Sequence, residues 1–118
     1  TVASHPSKLD LIRRAQERGY EVWTTFIYLE SAALAVARVA RRVRLGGHPV
    51  PEAKIRARYE RMAPIGAQAV RLADRGYLVD NSDPRQPLRD VAVFQRGRPT
   101  WVAKDPPTWV TRHFPETR

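Results

Sequence analysis

Residues 38–61 read RVARRVRLGGHPVPEAKIRARYER, two arginine-rich segments on either side of a Gly46, Gly47, His48, Pro49, Val50, Pro51 corner. Helical spacing puts Arg38 and Arg42 four residues apart on one side of a first helix, with Arg41 beside them. Lys54, Arg58 and Arg61 line one face of a second. The planar guanidinium fork suits bidentate contacts to phosphate. Charge on a transferring phosphoryl group spreads over its equatorial oxygens, so arginines placed there stabilise the transition state. The same residues also suit the solvated face of an amphipathic helix, and His48 suits a loop position with a local hydrogen bond.

The whole composition leans the same way. Net charge is +9, and only Lys8, Lys54 and Lys104 of the 21 basic residues are lysines. Such a balance implies a polyanionic partner: nucleic acid, nucleotide or anionic membrane. A length of 118 residues suits one domain, and the 42% hydrophobic and 28% charged fractions are those of a globular protein. No apolar run approaches the roughly 20 residues of a membrane span, and no secretory signal pattern opens the chain, so a cytoplasmic protein is expected. The absence of cysteine excludes disulfides, thiolate zinc sites and a cysteine nucleophile. His5, His48 and His113 are too scattered to predict a metal site.

The elements that position the arginines can be read in order. Ser7 followed by Asp10 resembles a capping box, opening a helix with Leu9, Ile12 and Ala15 inward and Gly19 as its terminator. Residues 21–29 (EVWTTFIYL) are β-branched and aromatic with little polar alternation, the pattern of a strand buried on both faces. Ser31 caps a helix over residues 32–45, with Ala32, Val36, Val39 and Val43 as its inward stripe. Pro51 and Glu52 open a third helix, with Ile55, Tyr59 and Met62 inward, and Pro64 and Gly66 are expected to kink or interrupt it. A strand at 77–80 ends in Asp80 and Asn81. A hairpin over 88–102 turns at Arg96 and Gly97, and a short docked helix closes the chain. Trp23, Trp101, Trp109 and Tyr59 fit core or interface positions better than a stacking platform for bases.

TVASHPSKLDLIRRA, GYEVWTTFIYLES, RVARRVRLGGHPVPEAKIRARYER and LADRGYLVDNS together resemble the C-terminal part of the zeta toxin family of P-loop kinases. The likeness runs over residues 1–82, and the GGHPVP corner with RARYER is its most specific piece. It implies an α/β fold: the C-terminal portion of a three-layer kinase-like domain with parallel strands, a helical lid at 38–61 and a C-terminal hairpin. It also implies ATP and Mg2+ as cofactors, with transfer of phosphate to a hydroxyl of a small molecule such as UDP-N-acetylglucosamine. The corner and its helices resemble the lid over the ATP phosphates, which nominates Arg42 and Arg58 as catalytic and Arg38, His48 and Arg61 as ATP-binding. Asn81 lies towards the adenine region, and Thr1, Ser4 and His5 belong to the substrate-facing motif.

A P-loop kinase also needs a glycine-rich phosphate turn followed by lysine and Ser or Thr. None of the six glycines begins a G-x-x-x-x-G-K-S/T run. The expectation is therefore a portion of a larger or split kinase, inactive by itself, whose partners are the Walker A-bearing N-terminal portion and, by resemblance, an antitoxin protein. The alternative is a small basic module that binds nucleic acid or an antitoxin without catalysis. No helix-turn-helix, RNA-binding aromatic motif or zinc pattern supports nucleic acid.

Overall fold

The computed structural model describes residues 5–118. Four α-helices and a four-stranded mixed sheet make an α/β domain: α1 (Ser7–Glu17), β1 (Trp23–Tyr28), α2 (Ala32–Arg44), α3 (Glu52–Leu72), β2 (Arg75–Asp80), β3 (Arg89–Gln95), β4 (Arg98–Val102) and α4 (Thr108–His113). The strand order is β1-β2-β3-β4. β1 and β2 run parallel with Thr25 opposite Tyr77, and the crossover between them is the α2–α3 pair. β3 and β4 follow antiparallel, so the expected parallel sheet is a single parallel pair extended by the expected hairpin. Arg96 at φ 50° and Gly97 at φ 79° make the tight turn that a two-residue hairpin connection requires.

One face of the sheet carries the core. Phe26 and Tyr28 of β1, Leu78 of β2 and Phe94 of β3 pack with Ala63, Ala67 and Val70 of α3 and with Trp109, Val110 and Phe114 at α4. Trp109 and Phe114 are fully buried, so the short closing helix docks as its aromatic content predicts. Gly66 is the closest approach of α3 to the sheet: a Cβ there would overlap the Phe26 ring.

Several sequence expectations change. Ser7 does not cap α1. Pro6 occupies the N-cap position, while the Ser7 hydroxyl is hydrogen-bonded to His5 Nδ1 at 2.9 Å. α3 is not interrupted at Pro64 and runs unbroken from Glu52 to Leu72. Pro64 and Glu60, the residue whose carbonyl loses its helical partner, are both exposed, on the side of α3 away from the core. β1 is not buried on both faces: Phe26 and Tyr28 are buried, but Trp23, Thr25 and Ile27 are exposed. Trp101 is likewise 47% exposed rather than core. The described helices gather on the Phe26 side, so these residues form two layers where three were expected. No helix among them is long and apolar enough to cross a membrane.

Candidate functional site

The arm begins where β1 ends. Ser31 takes an extended conformation and its Oγ accepts from Leu34 N at 3.1 Å, which starts α2 immediately above the strand. α2 fully buries no residue; its Ala32, Val36, Val39 and Val43 stripe is half-buried, as are Leu34, Ala35 and Arg38. It ends at Leu45, where Gly46 takes φ 102°, a conformation that favours glycine. Gly47 N donates to Arg42 O at 2.8 Å, so close that a Cβ at Gly47 would stand 2.9 Å from that oxygen. His48 and the rest of the corner are exposed. α3 then returns along α2, and its first ten residues bury nothing before Ala63 enters the core. The arm therefore stands at the carboxyl end of the parallel pair, the end at which open α/β sheets place their ligands.

Helix pitch sorts the arm's charges. At about 100° per residue, Arg38 and Arg42 lie to one side of the α2 stripe, and Lys54, Arg58 and Arg61 lie to the corresponding side of the Ile55–Tyr59–Met62 line. By helix pitch those two sides, taken together as one flank of the arm's sequence, carry five cations and no carboxylate. Glu52 and Glu60 turn to the other flank, together with Arg44 and Arg56, where Arg56 pairs with Glu52 at 3.3 Å. Among the described residues the side chains of Arg42, Lys54, Arg58 and Arg61 have no ion-pair or hydrogen-bond partner, and all four residues are exposed. Clustered like charges without carboxylates create the positive potential that an anion neutralises.

Arg38 stands apart from them. It is half-buried, and its Nη2 donates to the Ser82 carbonyl at 2.9 Å. Ser82 Oγ donates to Asp80 Oδ1 at 2.7 Å and accepts from Glu30 N at 2.9 Å. The buried Trp109 indole donates to the same Asp80 oxygen at 2.8 Å. Arg38 thus braces the arm to the tip of β2. Asn81 also serves the backbone: its Oδ1 accepts from Leu88 N at 3.2 Å, holding the loop between β2 and β3. His5 is exposed and engages Ser7, at the start of α1. Thr1 and Ser4 lie outside the described residues.

A tyrosine clamp that the sequence did not single out fixes the base of the arm. Tyr28 and Tyr59 stack at 4.7 Å between ring centroids. Tyr28 Oη donates to Tyr59 O at 3.2 Å, and Tyr59 Oη donates to Leu29 O at 2.9 Å. Burial, followed by the hydrogen bonding with Tyr59, holds the Tyr28 phenol well above its ordinary range, so it stays a neutral donor. The only signal in the sequence was the aromatic type at each position.

Arg42, Arg58 and Arg61 are exposed on the α2–α3 arm and His48 is exposed at its corner, whereas Arg38 and Asn81 are taken up by backbone bonds beside the end of β2. Among the described residues no three His, Asp or Glu side chains converge to hold a metal ion. No protein-family model, no curated protein and no solved structure matches this chain.

Proposed function

We propose that the chain is the lid-bearing, substrate-side portion of a zeta toxin-like ATP-dependent kinase acting in the cytoplasm. The observation that carries this reading is the set of exposed, unpaired side chains of Arg42, Lys54, Arg58 and Arg61 on the arm that follows the carboxyl end of β1. Unpaired arginines on an arm can reach the β- and γ-phosphates of ATP. There the γ-phosphoryl group would leave its bridging oxygen and bond to an acceptor hydroxyl, such as that of a UDP-N-acetylglucosamine sugar, as the hydroxyl proton departs. Arg42 and Arg58 neutralise charge on the equatorial oxygens, and Arg61 and His48 hold the phosphates at rest. A magnesium ion, if bound, would supply neutralisation of phosphate charge. Its ligands, like the Walker A turn, belong to the polypeptide with which this portion works. Arg38 braces the arm from the same flank.

The test is reconstitution with a Walker A-bearing N-terminal portion, following transfer of labelled γ-phosphate to UDP-N-acetylglucosamine. Arg58→Ala is expected to lower turnover by about 10³-fold, with Arg56→Ala on the opposite flank as the control. The chain by itself is expected to hydrolyse ATP at background. Magnesium-dependent turnover by this chain alone, or equal rates for the two variants, would remove the lid assignment.

A further inference from the structure

The two edges of the sheet are built differently. β4, at one edge, carries Arg98 and Pro99, and its register with β3 shifts between Val93 and Phe94. Charge, proline and a bulge are the devices by which natural sheets discourage further pairing. β1, at the other edge, reads WTTFIY, with no charge, no proline and no register shift against β2. Beside it lies a groove of about 470 Å³, lined by Leu11, Ile12 and Ala15 of α1, by β1 and by Met62. Leu11, Trp23 and Ile27 are 47%, 59% and 45% exposed around it.

Chain direction identifies what the groove receives. α1 packs on α3, on the same side of the sheet, and Gln16 Nε2 donates to Leu72 O at 2.7 Å, which puts the C-terminal ends of the two helices together. α3 is the crossover helix that carries β1 to β2. Crossovers between parallel strands are right-handed in about 98% of cases. A helix that lies on the same side as α3 and feeds β1 obeys that rule only if the strand before it lies outside β1, parallel to it. Charge fixes the strand's end. Lys8 is the one charged residue lining the groove, and it lies at the N-terminal end of α1, beside the end of β1 that leads into the arm. Among the described residues it has no acidic partner within ion-pair distance.

We infer that the outer edge of β1 is the seat of a further parallel strand. That strand carries alternating apolar residues that fill the groove and ends in a carboxylate that meets Lys8. This deepens the kinase reading, in which the N-terminal portion would supply the strand, but it rests on the sheet's own geometry and needs no nucleotide.

The test joins such a strand, with alternating Val and Ile and a terminal Asp, to the N-terminus of the full chain through a flexible linker. Hydrogen exchange then reads the β1 amides of Trp23 to Tyr28. The amides that point outwards are expected to slow at least tenfold, and Lys8→Glu is expected to reverse most of that gain. A control strand of equal composition with the alternation scrambled is expected to leave exchange unchanged. Equal protection by both strands, or by neither, would overturn the inference. So would concentration-dependent protection of β1 in the unextended chain, which would make a second copy the occupant. Because the arm takes no part, a protected β1 together with an inert Arg58→Ala would sink the kinase reading alone.

Discussion

Replacing Gly66 with alanine is the sharpest test of how the arm is anchored. Away from contacts, the change should stabilise α3, because alanine exceeds glycine in helix propensity by about 1 kcal/mol. Here the added Cβ would overlap the Phe26 ring, with Phe26 Cζ at 3.1 Å. Phe26 is 5% exposed and has little room to retreat, because its ring centroid lies 5.0 Å from Tyr28, 5.8 Å from Trp109 and 6.1 Å from Phe114. Overpacking of this kind costs about 1–3 kcal/mol, and the collision with Cε1 and Cδ1 of a ring hemmed in by other aromatics places it at the upper end. The propensity gain leaves a net loss of about 1–2 kcal/mol, or a Tm lowered by roughly 4–8 °C for a domain of this size. Thermal unfolding followed by circular dichroism reads this directly. Phe26→Leu removes the obstructing ring edge, so the double variant should be more stable than the sum of the two losses by about 1 kcal/mol or more. A Gly66→Ala protein that melts at or above the parent temperature, or losses that simply add, would refute the packing argument.

Asp80→Ala should cost about 2–3 kcal/mol in urea unfolding, because it strands the buried Trp109 N–H and the Ser82 hydroxyl. Asp80→Asn, which keeps an acceptor oxygen, should cost less than half of that. Glu116 chelates Arg71 through two 2.8 Å bonds, and that hydrogen bonding lowers its pKa from the ordinary carboxylate value. A lowered folded pKa means stability that is present above the unfolded value and lost as pH falls through the folded one. The gap between parent and Glu116→Gln should therefore be open at pH 6 and close progressively below about pH 4. Arg38→Ala should cost about 1 kcal/mol through the lost Ser82 bond, whereas Arg58→Ala should leave unfolding within about 0.5 kcal/mol of the parent. Equal effects of those two would erase the distinction between brace and free cation.

Much of the fold was legible because local chemistry decided it. Ser31 before an apolar stripe, glycines at the corner, and Arg96 with Gly97 between alternating runs each specify their structure within a few residues. β1 misled because an unpolarised apolar strand reads the same whether its second face is covered by this chain or left open. Pro64 misled because the cost of a proline inside a helix depends on its surroundings, and here it stands on the exposed side of α3. The candidate arginines were visible as types, but their roles divided only in three dimensions. Arg38 finds a backbone carbonyl 44 residues away, a partner with no signature in side-chain pattern. The carboxylate-free flank was implicit in the spacing, yet it becomes a surface only once α3 folds back on α2.

The continuity of α3 has a mechanical consequence. At about 1.5 Å per residue, its 21 residues make a rod of roughly 31 Å running from the sheet floor to the corner. Its lower half is clamped under Phe26, and its upper half carries Lys54, Arg58 and Arg61 in the open. Pro64 stands at the junction, where one backbone hydrogen bond is missing and bending is cheapest. The arm is thus a lever with its fulcrum at the edge of the core. A bend of about 10° there would carry the corner roughly 3 Å, over the ~18 Å of helix above it. That is about the length of a hydrogen bond, and the motion is resisted by the Tyr28–Tyr59 stack, because Tyr59 rides on the moving segment while Tyr28 stays with the core.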